Sequence, residues 1–147
     1  TDLIHELGPA TLKGKGLARA VRTYALECET QMDIPIITRI QGERTIPLEI
    51  EQTLFRMIQG AMANVARHSQ ATQAEICLVY DRDQIIVSIE DDGVGFNLET
   101  LSFGFGLKSI QERVEIIHGE MEILSSPGQG TTLIIRAPIS PAERSTP

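Results

Sequence analysis

The chain of 147 residues is poor in cysteine, poor in positive charge, and without an apolar run long enough to span a bilayer. Its two cysteines, Cys28 and Cys77, stand far apart with no CxxC pairing, which argues against both a zinc site and a disulfide framework. A reducing cytoplasm is the simplest setting. With 13 Lys and Arg against 20 Asp and Glu, the formal charge is -7, so no nucleic-acid or anionic-membrane surface is expected. Any anionic ligand then has to be held locally. The N-terminus lacks the charged and apolar regions of a signal peptide. What is present is 41% hydrophobic content, enough for one compact domain that at this size buries roughly 70% of its unfolded-chain surface. The chain opens in mid-pattern at "TDLIHEL" and reads as a piece of something longer.

Periodicity predicts alternating element types. Residues 1–7 read as the end of a helix stopped by Gly8 and Pro9. A second helix over about 17–30 sets Leu17, Ala20, Val21, Tyr24, Ala25 and Cys28 on one side. "IPIITRIQG" reads as a strand closed by Gly42. A helix over about 47–68 places Leu54, Ile58, Ala61 and Val65 at core spacing, with Phe55, Met57 and Met62 widening the stripe. "AEICLVY" and "QIIVSIED" are β-rich and joined by a short polar turn, so they form an expected antiparallel hairpin. After a loop rich in Gly and Phe, "LKSIQERVEIIH" is helical and stopped by Gly119. "EMEILSS" and "TTLIIRAP" close a last hairpin around "PGQG". The tail "SPAERSTP" reads as disordered. The fold class that results is α/β: a two-layer sandwich of a mixed, mainly antiparallel sheet with helices on one face.

Chemistry concentrates in three stretches. In "IEDDGVGFN", Asp91 ends a strand and Gly93 and Gly95 follow, leaving bare backbone against which a ligand can press. A carboxylate fixed there can accept a hydrogen bond from an exocyclic amine, as on adenine, although Asp and Gly also suit an ordinary turn. An EF-hand frame through Gly93 fails, because a strand rather than a helix enters the loop. In "FGFGLKSIQERV", Gly104 and Gly106 precede a helix whose N-terminus favours an anion such as phosphate, with Lys108 and Ser109 in its first turn. Ser109 stands where a dinucleotide fingerprint needs its third glycine. "GPATLKGKG" fails as a P-loop in its glycine spacing, and "SFG" lacks the metal-binding Asp of a protein kinase. In "LFRMIQGAMANVARHSQA", positions 60, 64, 67 and 68 share a stripe beside the apolar one. Asn64 offers an oxygen to a cation such as magnesium, and Arg67 or His68 can reach phosphate; a solvated helix end would have the same composition.

In order, "NVARH", "DDGVG", "GFGL" and "GQGTT" resemble the N box, two glycine boxes and final Gly-Thr segment of one family. This is the ATP-binding catalytic domain of two-component sensor histidine kinases, of the superfamily with gyrase, the ninety-kilodalton heat-shock chaperone and mismatch-repair ATPases. The likeness covers about residues 45–138. "IHELGPATLKGKGLARAV" and the "ERV" after the second glycine box look like the subfamily of nitrate and desaturase regulators. The resemblance implies a Bergerat ATP-binding fold, with ATP and Mg2+ as cofactors. It implies Asp91 on the adenine amino group, Asn64 on magnesium, Arg67 and His68 near the phosphates, and Thr131 near the adenine. Gly93, Gly95, Gly104, Gly106 and Leu107 would shape the pocket and lid, the lid running from Phe96 to Phe103.

The same resemblance implies a division of the chain. Residues 1–30 would hold the end of the dimerisation and phosphoacceptor region with a connecting helix, 31–140 the catalytic domain, and 141–147 a tail. The acceptor histidine is expected on a missing upstream helix. His5 in "HEL" is a poor acceptor, because position 10 is Ala and because Gly8 and Pro9 break the presenting helix. A cognate response regulator is the implied partner. The parent would be a homodimer, cytoplasmic or membrane-anchored, and the isolated fragment monomeric and unable to phosphorylate itself. Two departures stand out. Gly8 replaces an Arg, and Gly60 replaces the acidic residue four before the N-box Asn, so nucleotide binding is expected to survive with phosphotransfer weakened. A degenerate ATP-sensing module and a serine kinase acting on an anti-sigma antagonist are the alternative readings. A superfamily ATPase fits less well, since Gly60 supplies no carboxylate to activate water. In a longer chain that contains the acceptor, Gly60→Glu is expected to raise the autophosphorylation rate; an unchanged rate would remove Gly60 as the cause of weak transfer.

Overall fold

The structure, a computed structural model, describes residues 16–66, 70–94 and 106–139. Along the chain run α1 (Gly16–Met32), β1 (Ile36–Gln41), α2 (Leu48–Asn64), β2 (Ala74–Tyr80), β3 (Gln84–Asp91), α3 (Gly106–Ile116), β4 (Glu120–Ser125) and β5 (Thr131–Pro138). The five strands form one sheet in the order β1-β2-β3-β5-β4. β1 lies parallel to β2 and every other neighbouring pair is antiparallel, so the sheet is mixed and mainly antiparallel, as expected. Both hairpins form as their patterns require, β2 with β3 and β4 with β5. The strands β3 and β5 meet side by side only because α3 and β4 fold back between them in sequence.

Alternation decides which face is buried. Ile76, Leu78 and Tyr80 of β2, Ile85, Val87 and Ile89 of β3, and Leu133, Ile135 and Ala137 of β5 are all buried and in register on one face. The helices cover that face: α1 packs by β1, α2 over β3 and α3 by β4. Leu17, Val21, Tyr24 and Cys28 of α1 and Leu54, Phe55, Ile58 and Met62 of α2 enter the same core. Each large apolar side chain buried this way contributes roughly 1.5–3 kcal/mol, which is why the periodic pattern outweighs local propensity. Tyr24 and Phe55 meet edge to face, with centroids 5.7 Å apart and planes at 74°, a favourable arrangement of ring quadrupoles. The opposite face carries exposed or half-buried ion pairs, Arg39 with Glu75 and Arg136 with Glu122, worth little beyond solubility.

The start of α1 is held from α2. Glu51 is buried with 7% of its surface exposed, and its carboxylate accepts the Leu17 N–H at 3.0 Å. The first N–H groups of a helix have no partner within it, and a carboxylate there also meets the positive end of the helix dipole. Burial pushes the Glu51 carboxyl above its usual range, and the Leu17 N–H opposes that shift.

One of the two expected helix ends is revised. Helix α2 runs to Asn64 and passes into π geometry at Val65 and Ala66, a distortion that recurs at functional sites; the expected continuation to His68 lies outside the described residues. At the end of α3 the left-handed residue is His118, with φ 60°, and not Gly119. The Gly119 N–H closes the turn on the Val114 carbonyl at 2.8 Å, the pattern of a Schellman cap. Gly119 is needed for another reason: a Cβ there would lie 2.6 Å from the Arg136 carbonyl oxygen. The expected helix end at residues 1–7, with His5, and the tail from residue 140 lie outside the described residues.

Gly60 sits inside α2, facing α3. A Cβ on it would touch Ile110 of α3 at 3.5 and 3.6 Å, ordinary van der Waals separations. Gly60→Ala is therefore expected to stabilise the fold by about 0.5–1 kcal/mol through the backbone alone, measured by urea unfolding; a loss of stability would mean that Ile110 cannot accept the methyl group.

Candidate functional site

The site is built on the last row of the sheet. Ala74 of β2, Asp91 of β3, Thr131 of β5 and Ser125 of β4 lie side by side in register. That row continues the buried face, so the alternation that sends Val87 and Ile89 into the core also sends Asp91 inward. Asp91 is 8% exposed. Its Oδ1 accepts the Gly93 N–H at 2.8 Å. Burial pushes the Asp91 carboxyl above the usual carboxylate range; the Gly93 N–H counters this, the Asp92 charge adds to it, and the Thr131 N–H counters it again. An ionised carboxylate has about four acceptor positions, so the two N–H groups leave capacity for a donor from outside the chain.

A hairpin turn presses on the backbone that carries this carboxylate. Gly130 has φ +79°, and a Cβ on it would collide with the Asp91 carbonyl oxygen and lie 3.1 Å from the Asp92 Cα. The Gly128 N–H donates to the Val94 carbonyl. Ser125 Oγ donates to the Gly130 carbonyl at 3.0 Å and lies 2.9 Å from Thr131 Oγ1. The turn of "PGQGTT" thus braces the "DDGV" backbone, and no side chain fits between them.

A second brace comes from the other side. The exposed Asp92 carboxylate accepts the Thr72 N–H at 2.8 Å, the Gln73 N–H at 3.1 Å and the Thr72 hydroxyl. Those three bonds tie the segment that follows α2 to the end of β3. The Thr72 hydroxyl, then the Thr72 N–H, hold the Asp92 carboxyl below its usual range. Adjacent carboxylates are thereby pushed in opposite directions, Asp91 up by burial and Asp92 down by donors.

The residues expected from sequence fall as follows. Asp91, Gly93 and Thr131 come together at the strand end. Asn64 is the last residue of α2, half-buried, immediately before the π turn, and α2 packs over β3, which ends in Asp91. Gly106 opens α3, and α3 packs on α2 through Ile110. Leu107 lies in the first turn of α3 and its side chain is outside the description, as is that of Ser109; Lys108 is exposed. Arg67, His68, Gly95, Gly104 and the loop from Phe96 to Phe103 lie outside the described residues. Among the described residues no three His, Cys, Asp or Glu side chains gather as a metal cluster. A single amide oxygen from Asn64 matches the way magnesium is usually held, by one or two protein oxygens with water and substrate phosphate.

Sequence reasoning missed Asp92, Thr72, Ser125 and Glu51. Asp92 was legible only as a turn residue, because its partners lie 19 and 20 positions away. Ser125 faces Thr131 across a turn of residues 126–130, one residue longer than "PGQG", which by itself would have set Ser126 there.

Residues 49–141 match the family described as histidine kinase-, DNA gyrase B- and HSP90-like ATPase. The chain is 32% identical over 145 residues to the sensor protein VraS of Staphylococcus epidermidis, covering 98% of this chain and 41% of the relative. It is 34% identical over 143 residues to the sensor histidine kinase LiaS of Bacillus subtilis, covering 97% and 39%. The chain thus spans about two fifths of the length of these relatives. Among solved structures it is similar to the histidine kinase domain of a blue-light activated histidine kinase from Erythrobacter litoralis, with TM-score 0.70, 18% identity, and 87% of this chain and 63% of that one covered.

Gly128 and Gly130 separate backbone conformation from close approach. Both have positive φ, +78° and +79°, but a Cβ at Gly128 meets nothing within 4 Å. Gly128→Ala is expected to cost about 1 kcal/mol for the left-handed backbone alone, and Gly130→Ala at least about 2 kcal/mol more for the collision, measured by thermal unfolding. Equal losses would show that the contact with Asp91 is not a constraint.

Proposed function

Because the chain belongs to the histidine kinase-, DNA gyrase B- and HSP90-like ATPase family, we propose that it is the ATP-binding catalytic domain of a sensor histidine kinase. In this reading it donates the ATP γ-phosphate to a histidine on a dimerisation helix upstream, for relay to a response regulator. The observation that carries the reading is Asp91: a buried carboxylate at a strand end, fixed by Gly93 and backed by Gly130, with acceptor capacity left over. A group in that position recognises an amino-bearing base edge. Asn64, Arg67 and His68 are the proposed phosphate-side residues, and Gly93, Gly95, Gly104, Gly106 and Leu107 the proposed pocket and lid residues. Asn64 would hold magnesium, which when bound neutralises phosphate charge. Thr131 would border the adenine.

The division of labour along the chain follows from the same reading. The segment before α1 is proposed to lead to the phosphoacceptor region, and α1 to be the helix that carries it onto the catalytic domain, fastened by Glu51. The parent is proposed to be a cytoplasmic or membrane-anchored homodimer. Among the described residues no helix is long and apolar enough to cross a membrane.

Transfer itself needs the reacting atoms in line and the developing charge stabilised, which is chiefly a matter of positioning. The chain's contribution is to orient the base through Asp91, so that the phosphates run toward the end of α2 and the start of α3. Asp91→Asn keeps the size but removes the charge that the amino group would meet. Titration calorimetry with ATP and magnesium is expected to give affinity lower by about ten- to a hundredfold, the worth of a charge-assisted hydrogen bond. Unchanged affinity would take Asp91 out of the site.

A further inference from the structure

Asp92 and Gly93 form the one Asp-Gly step in the chain, which has no Asn-Gly step. An aspartate before glycine is chemically vulnerable. Its Cγ can close a five-membered ring with the next backbone nitrogen, and glycine has no side chain to shield that nitrogen. Two conditions decide whether the ring closes. The carboxyl has to be free to meet the nitrogen and to take a proton, because a carboxylate is a poor electrophile. The amide proton has to have an acceptor.

The structure meets the second condition and withholds the first. The Gly93 N–H already donates to Asp91 Oδ1 at 2.8 Å, so a carboxylate stands ready to take the proton as the nitrogen attacks. Burial pushes the Asp91 carboxyl up, which makes it a better proton acceptor. The Asp92 carboxylate is engaged elsewhere. Its Oδ1 accepts the Thr72 N–H at 2.8 Å and the Gln73 N–H at 3.1 Å, and its Oδ2 accepts the Thr72 hydroxyl. Donors of this kind favour the ionised form, and they hold the group below its usual range although it is exposed to water.

We propose that Asp92–Gly93 is a self-modification site guarded by Thr72: when the Thr72 bonds are lost, Asp92 cyclises onto the Gly93 nitrogen, and the succinimide so formed opens to isoaspartate. In the wild type the ring closes only while the segment after α2 lets go of Asp92, a local opening of the fold. The step balances with water alone. The freed carboxylate takes a proton from solvent. The bond from Gly93 N to Asp92 Cγ forms as the Cγ–OH bond breaks; the amide proton passes to Asp91 and from there to the departing hydroxyl, which leaves as water. A second water then adds to the ring. Addition at Cγ restores aspartate, and addition at the main-chain carbonyl leaves the backbone running through Cβ and Cγ. That backbone is longer by a methylene between Asp91 and Gly93, so the Gly93 N–H is carried off Asp91 and the candidate site loses the donor that fixes its carboxylate.

The test is prolonged incubation at one fixed pH, followed by peptide mapping with fragmentation that separates isoaspartate from aspartate. Wild type, Thr72→Val and Thr72→Ser are compared, with folding checked by thermal midpoint, and wild type unfolded in urea gives the unguarded rate. Folded wild type is expected to isomerise at Asp92 more slowly than the unfolded chain. Thr72→Val keeps the N–H donors and loses the hydroxyl, and is expected to form isoaspartate about tenfold faster than wild type, the scale of one hydrogen bond. Thr72→Ser is expected to keep the wild-type rate. Equal rates in wild type and Thr72→Val overturn the proposal. So does an equal acceleration at Asp33, Asp81 and Asp83, which precede Ile, Arg and Gln, because general loosening would act on all of them. Should Thr72→Val not fold, the wild type decides by itself: a folded chain that isomerises as fast as the unfolded one overturns the proposal.

Discussion

A carboxylate held inside the protein at the end of a strand is the constraint around which the rest is arranged. Left alone, a buried Asp91 would neutralise, because an unpaired charge in a low-dielectric site costs far more than a shifted proton. The chain answers with backbone donors, the N–H groups of Gly93 and Thr131, and these come from segments that must approach closely. Gly130 permits the approach on one side, and Asp92 with Thr72 and Gln73 secures the other. Each brace is local in space and distant in sequence.

The mixed sheet serves that arrangement. Placing β5 between β3 and β4 puts the β4–β5 turn beside the end of β3, so the glycine-rich turn and the carboxylate loop meet. A meander in simple chain order would have put β4 there instead, and the Gly130 contact with Asp91 would not exist. On the helical layer, α2 is the common partner. It packs over β3, meets α3 through Gly60 and Ile110, and supplies Glu51 to the start of α1. A shift of α2 therefore reaches the incoming helix at one end and Asn64 at the other.

Much of this was legible in the residues. The stripes on α1 and α2 named the core, since Leu17, Val21, Tyr24 and Cys28, or Leu54, Ile58 and Ala61, recur with the helical period and are buried. Both hairpins were legible from alternation and turn chemistry. Asp91 stood out because it ends a strand and spaced glycines follow, a pattern that an ordinary turn shares. Less legible were the ends of α2 and α3. The π geometry at Val65 and Ala66 had no signal in the helical pattern, and His118 takes the left-handed position in place of the adjacent glycine, while Gly119 lies close against the Arg136 carbonyl.

Periodicity, turn residues and the order of the glycine motifs determined the element types, the buried faces and the position of the candidate carboxylate, since those depend on interactions between near neighbours in the chain. Tertiary structure decided which strands lie side by side, that Asp92 fastens the segment after α2, that Glu51 caps α1, and that the Ser125 and Thr131 hydroxyls meet. These follow from which segments the fold brings together. No local pattern of residue types carries that information.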